Sequence, residues 1–75
     1  MSLEKAFGKV LKEQREKRNL TQLQLAERCD FDVTYISLLE RGRRQPSLKA
    51  FIRIATALDS SPVEILKKTL KALQA

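Results

Sequence analysis

Thr34 and Ser37 stand three residues apart in the segment VTYISLLE, and Arg41, Arg43 and Arg44 crowd into the four residues that follow. On a helix, spacings of three and four put both hydroxyls and Arg41 on one face. Hydroxyls donate and accept hydrogen bonds, and guanidinium forks match the oxygens of phosphate or carboxylate. Such a set can hold a charged, hydrogen-bonding surface, but it cannot make or break a bond. The chain has no histidine, the commonest general base and metal ligand, and a single cysteine, Cys29. No nucleophile–base pair and no metal-ligating cluster can be assembled, so neither an enzyme nor a metal or cofactor site is expected.

Those residues belong to a chain of 75, enough for one small domain with a marginal core. Hydrophobic residues at 43% and charged residues at 32% fit a soluble globular protein. The net charge of +6 favours an anionic partner, either nucleic acid or an acidic membrane surface. A membrane is the poorer choice, because the basic residues flank a compact pattern rather than line one long amphipathic face. No apolar run is long enough for a signal peptide or a membrane span, and one unpaired cysteine suits the reducing cytoplasm. Cys29 itself reads as core filler.

Helical periodicity runs nearly throughout, with no strand pattern and no internal repeat. Leu3, Phe7, Val10, Leu11 and Gln14 follow the rhythm of a first helix, capped by Ser2 and ending near Arg18. Asn19 can take the left-handed conformation that closes it. Thr21 and Gln24 form a capping box for a second helix, Gln22 to about Cys29, with Leu20 and Leu25 as its hydrophobic staple. Asp32 caps a third helix, which runs to Arg41 and stops at Gly42, with Phe31 and Ile36 in the staple positions. Two short helices joined by so tight a turn must cross steeply. Pro46-Ser47 opens a fourth helix with Leu48, Phe51, Ile52, Ala55 and Leu58 on one face. Ser61-Pro62-Val63-Glu64 reads as a capping box opening a fifth, which carries Val63, Leu66, Leu70 and Leu73 close to a heptad seam.

Around the third helix, Ile36 and Leu39 share a side with Tyr35 and Glu40 and must be the buried anchors. The other side is Val33, Thr34, Ser37, Leu38 and Arg41, with one charge and two apolar groups. A purely solvated face would carry more charge, so this side reads as a contact surface. From Arg41 to Leu58 there are five basic residues, Arg41, Arg43, Arg44, Lys49 and Arg53, and no acid. Beside that face they read as anion-binding groups.

The runs LTQLQLAER and ISLLERGRRQPSL resemble the Cro and lambda-repressor type of helix-turn-helix, also called Xre-like. The resemblance covers roughly residues 7 to 68 and rests on Gln22, Ala26, Ile36, Leu39, the Glu40-Arg41-Gly42 run and Pro46-Ser47. It implies an all-α, compact five-helix domain over residues 1–75, with the helix-turn-helix at about 21–41 and a dimerising last helix at about 62–73. The small size looks most like the controller proteins of restriction–modification systems; small phage repressors and antitoxins share the pattern.

The implied activity is sequence-specific, transcription-regulating DNA binding by a homodimer on a pseudo-palindromic operator. The alternative is an antitoxin that neutralises a partner protein and controls its own operon. On the first reading the third helix enters the major groove with Val33, Thr34, Ser37 and Leu38 at base edges. Val33 and Leu38 would pack on thymine methyls. Gln22, Tyr35, Arg41, Arg43 and Arg44 would grip phosphates. Family members often pair an arginine in the first helix with the glutamate ending the third, so Arg15 and Glu40 are expected to form a partly buried ion pair. Val63, Leu66 and Leu70 would lie near the dimer contact. Glu27, Asp30 and Asp32 form an acidic spot that solvation and capping largely explain; related activators use a similar surface to touch RNA polymerase. Two positions depart from the pattern: Asp30 replaces the usual turn glycine, and Val33 replaces a commonly polar reader.

Overall fold

Each helix begins where a short side chain accepts a backbone N–H, and four of the five end on a residue with positive φ. The computed structural model describes all residues from Met1 to Ala75. It contains α1 (Leu3–Lys17), α2 (Gln22–Cys29), α3 (Val33–Glu40), α4 (Leu48–Ala57) and α5 (Pro62–Gln74), and no strand. The caps are Ser2, Thr21, Asp32, Ser47 and Ser61. Thr21 and Gln24 close the reciprocal box that their spacing predicts. Left-handed residues follow α1 to α4: Asn19 (φ 55°), Asp30 (φ 59°), Gly42 (φ 71°) and Asp59 (φ 53°). At each stop the next N–H reaches back five residues, as in Arg43 to the Leu38 carbonyl at 2.9 Å. Asp30 thus performs the glycine's task, since a short polar side chain tolerates this region.

The core gathers Phe7, Val10 and Leu11 of α1, Leu25 and Ala26 of α2, Ile36 and Leu39 of α3, Ile54 and Leu58 from α4 and its end, and Ile65 of α5. α1 is the central support, packing against both α3 and α5, while α2 lies on α3 and α4. Its crossing with α3 depends on Gly8. A Cβ there would lie 2.5 Å from the Leu39 carbonyl oxygen and 2.6 Å from that of Glu40, so only a bare backbone allows the approach.

Several expectations need correction. α3 ends one residue early, with Arg41 as its cap rather than its last turn. On α4, Leu48 is 74% exposed and Ile52 is also exposed, while Ala50 and Ile54 take the inner positions beside Ala55. α4 carries two apolar stripes, and periodicity alone does not choose between them; contact with both α2 and α5 does. Leu3 is likewise largely outside the core. The box at Ser61 does not close. Ser61 Oγ accepts from the Val63 N–H, and the Glu64 carboxylate pairs loosely with Lys67 at 3.8 Å. No such correction applies to α5, which buries Ile65 and Thr69 while Val63, Leu66 and Leu70, expected near a dimer contact, stand in solvent and Leu73 is half-buried.

Candidate nucleic-acid interface

α3 is anchored from below and open above. Ile36 and Leu39 are fully buried, whereas Thr34 is exposed and Val33 is 37% exposed. Ser37 and Leu38, one turn along, are half-buried. Asp32 Oδ1 accepts the Thr34 N–H at 2.9 Å, which fixes the first turn and the direction of Val33 and Thr34. The side of α3 opposite Ile36 and Leu39 is therefore open, with its N-terminal end more available than Leu38.

The basic residues divide into two groups. Arg41, Arg43 and Arg44 are exposed and pair with no carboxylate; the ion pairs present are Arg15–Glu40 and Lys67–Glu64. Arg44 stacks over the half-buried Tyr35 ring, 5.7 Å from its centroid, and Tyr35 meets Phe31 edge-on at 5.1 Å. Arg53 does not belong with them. It is half-buried, lies 4.4 Å over the Phe31 ring, and donates through Nη2 to the Cys29 carbonyl at the end of α2. Its charge is consumed in holding the turn between α2 and α3.

Beneath α3, Arg15 and Glu40 form the expected ion pair and extend it into a network. Arg15 Nε donates to Glu40 Oε2 at 2.6 Å and Nη2 to Oε1 at 3.0 Å. Nη1 donates to the Leu20 carbonyl at 2.7 Å, between α1 and α2. The two side chains are only 10% and 3% exposed. Hydrogen bonding to the Glu40 carboxylate raises the Arg15 guanidinium above its ordinary pKa, against the opposing effect of burial. Gln22 completes the set by donating Nε2 to Glu40 Oε1 at 3.0 Å. The residue assigned to phosphate is thus tied to the α1–α3 brace, with one amide N–H still free for an outside acceptor.

In the acidic spot, Glu27, Asp30 and Asp32 are all exposed. Asp30 closes α2 and Asp32 caps α3, which leaves Glu27 without a structural task. Cys29 is buried and free, and burial raises its thiol pKa while the Arg53 charge partly opposes the rise. No group of three or more potential metal ligands is present. One neighbour of the basic loop escaped sequence reasoning. A Cβ at Gly42 would lie 2.6 Å from Lys5 Cγ, so the first turn of α1 abuts the loop after α3. No local pattern signals a contact between residues so far apart in the chain.

Two short helices at a capped left-handed turn, with a braced second helix open on one side, agree with a helix-turn-helix family model that matches residues 11–65. The chain belongs to that family. This helix-turn-helix protein is 41% identical over 64 residues to the control protein C.BamHI of Bacillus amyloliquefaciens, covering 84% of this chain and 79% of that one. Among solved structures it is similar to the clp gene regulator ClgR of Corynebacterium glutamicum. There the TM-score is 0.92 and the identity 32%, over 99% of this chain and 81% of that chain. A TM-score of 0.90 relates it to the restriction–modification controller protein C.Esp1396I, solved as a tetramer with its natural 35 base-pair operator. In that case identity is 29%, over 100% and 99% of the two chains. No helix of this helix-turn-helix protein is long and apolar enough to cross a membrane.

Proposed function

We propose that this helix-turn-helix protein is a cytoplasmic transcriptional regulator of the controller type, binding a pseudo-palindromic DNA operator as a homodimer. The observation that carries this reading is the outer face of α3. Exposed Val33 and Thr34 at its first turn adjoin three exposed arginines that no carboxylate of the chain neutralises. Seated in a major groove, Thr34 and Ser37 exchange hydrogen bonds with base edges, and Val33, with the exposed part of Leu38, packs on thymine methyls. Arg41, Arg43, Arg44, Tyr35 and the free N–H of Gln22 hold phosphates on either side. Val63, Leu66 and Leu70, left in solvent by the monomer, supply an apolar stripe for a two-fold contact. That contact sets two α3 helices about 34–36 Å apart, one turn of DNA. Glu27 is the acid left over for a contact with RNA polymerase.

Selection of bound duplexes from a random DNA library tests the whole reading. It should return thymine-containing half-sites at one-turn spacing, with an advantage on the order of 10³ or more over random DNA. Equal affinity for all sequences would sink it.

A further inference from the structure

We propose that Lys5, outside the helix-turn-helix unit, is a further phosphate-binding residue of this protein; the proposal rests on the DNA-binding reading above. Gly42 turns the chain out of α3 at a positive φ, and its Cα faces the first turn of α1 closely. A Cβ there would come within 2.6 Å of Lys5 Cγ, 3.0 Å of its Cα and 3.2 Å of its N. The lysine stem therefore lies over the glycine that separates Arg41 from Arg43. The ammonium at the end of such a stem stays in water while the methylenes lie on the protein.

Three further features fit the assignment. Lys5 is exposed and, unlike Arg15 or Lys67, is held by no carboxylate. Its backbone is fixed, because its own N–H is the one that Ser2 Oγ accepts at 3.2 Å. And α1 carries it on the helix that braces α3 through Gly8 and Arg15, so its position follows that of the arginine loop. A duplex whose backbone meets Arg41 and Arg43 passes Lys5, which lies against the glycine between them. Phosphate accepts from an ammonium regardless of sequence, so Lys5 adds grip without altering which site is chosen. Gly42 then has two tasks: its φ stops α3, and its missing side chain leaves room for Lys5.

The test uses the full chain and a mixed-sequence DNA duplex, with binding followed as sodium chloride is raised. Lys5→Gln keeps the first three side-chain carbons on Gly42 and removes the charge. It should lower the slope of log K against log salt by ~0.9 per bound copy, the signature of one phosphate contact, while Lys5→Arg keeps the slope. Arg43→Gln serves as the positive control for the basic loop, and Lys68→Gln on α5 removes an equal charge elsewhere. A wild-type slope in Lys5→Gln beside a reduced one in Arg43→Gln overturns the assignment and leaves the DNA-binding reading standing. An equal loss in Lys68→Gln also overturns it, since net charge rather than contact would then explain the effect. No duplex binding by the wild type overturns both.

Discussion

Arg15 and Arg43 carry the same charge to opposite ends. Arg15 is surrounded by acceptors that the fold supplies: both oxygens of Glu40 and the Leu20 carbonyl. Arg43 has only solvent and stands on a loop with no acid. Arg53 belongs with Arg15, because a carbonyl and an aromatic face already take up its guanidinium. What marks the proposed anion-binding surface is the availability of charge rather than its amount. A net charge of +6 does not separate these groups; hydrogen-bond partners do.

Glu40 is the group that keeps Arg15 from being a stranded cation. Replacing Glu40 with Ala leaves Arg15 charged and dry and frees Gln22 from its acceptor. Removing one member of a buried pair costs about 3–5 kcal/mol, a large share of what a small domain has. Urea unfolding should show most of the chain's stability gone. Arg15→Met combined with Glu40→Leu should recover much of the loss, since no charge is then stranded. If the single and double variants are equally unstable, the pair is not the brace described here.

Much of this was legible in the sequence. Caps, staples and stop residues place all five helices, because those signals act within one turn and need no tertiary context. The ion pair of Arg15 and Glu40 was legible only through the family resemblance, since nothing local joins residues 25 positions apart. What escaped were choices made by packing. α4 offers two apolar stripes, and its neighbours bury the one through Ile54 rather than that through Leu48 and Ile52. Gly8 reads as an ordinary weak point in a helix until α3 is seen lying across it. Arg53 looks like a surface cation in a basic run, and only the fold brings Phe31 and the end of α2 beneath it. At the candidate interface, the residues on one element were readable and the Lys5 contact between two elements was not.

Arg53 and Arg43 should respond oppositely to removal, by smaller amounts. Arg53→Ala removes a charged hydrogen bond to the end of α2 and a cation–π contact, about 1–2 kcal/mol of stability. It should leave the salt dependence of DNA binding close to wild type, apart from the lost charge. Arg43→Ala should do the reverse, with stability within about 0.5 kcal/mol of wild type and a salt slope lower by ~0.9. Thermal unfolding and a salt titration on both variants give four numbers. The division into consumed and offered cations fails if the two arginines exchange roles in either measurement.

The smallest effect concerns the thiol beneath Arg53. Burial raises the Cys29 pKa and Arg53 partly offsets the rise, so the native state holds this proton more tightly than the unfolded chain, whose thiol titrates near ~8.5. A group with a raised native pKa contributes its full stability below the unfolded value and loses it as pH climbs through the native one. Stability should therefore decline above about pH 8.5, through this group by no more than ~1.4 kcal/mol per pH unit. Cys29→Ala should flatten that decline. Arg53→Ala should extend it to higher pH, because the opposing charge is gone and the native pKa rises further. If the alkaline limb is the same with and without Cys29, the thiol is not coupled to folding in this way. If removing Arg53 shortens the limb, the guanidinium does not act on the buried end of α2, and Arg53 returns to the group of offered charges.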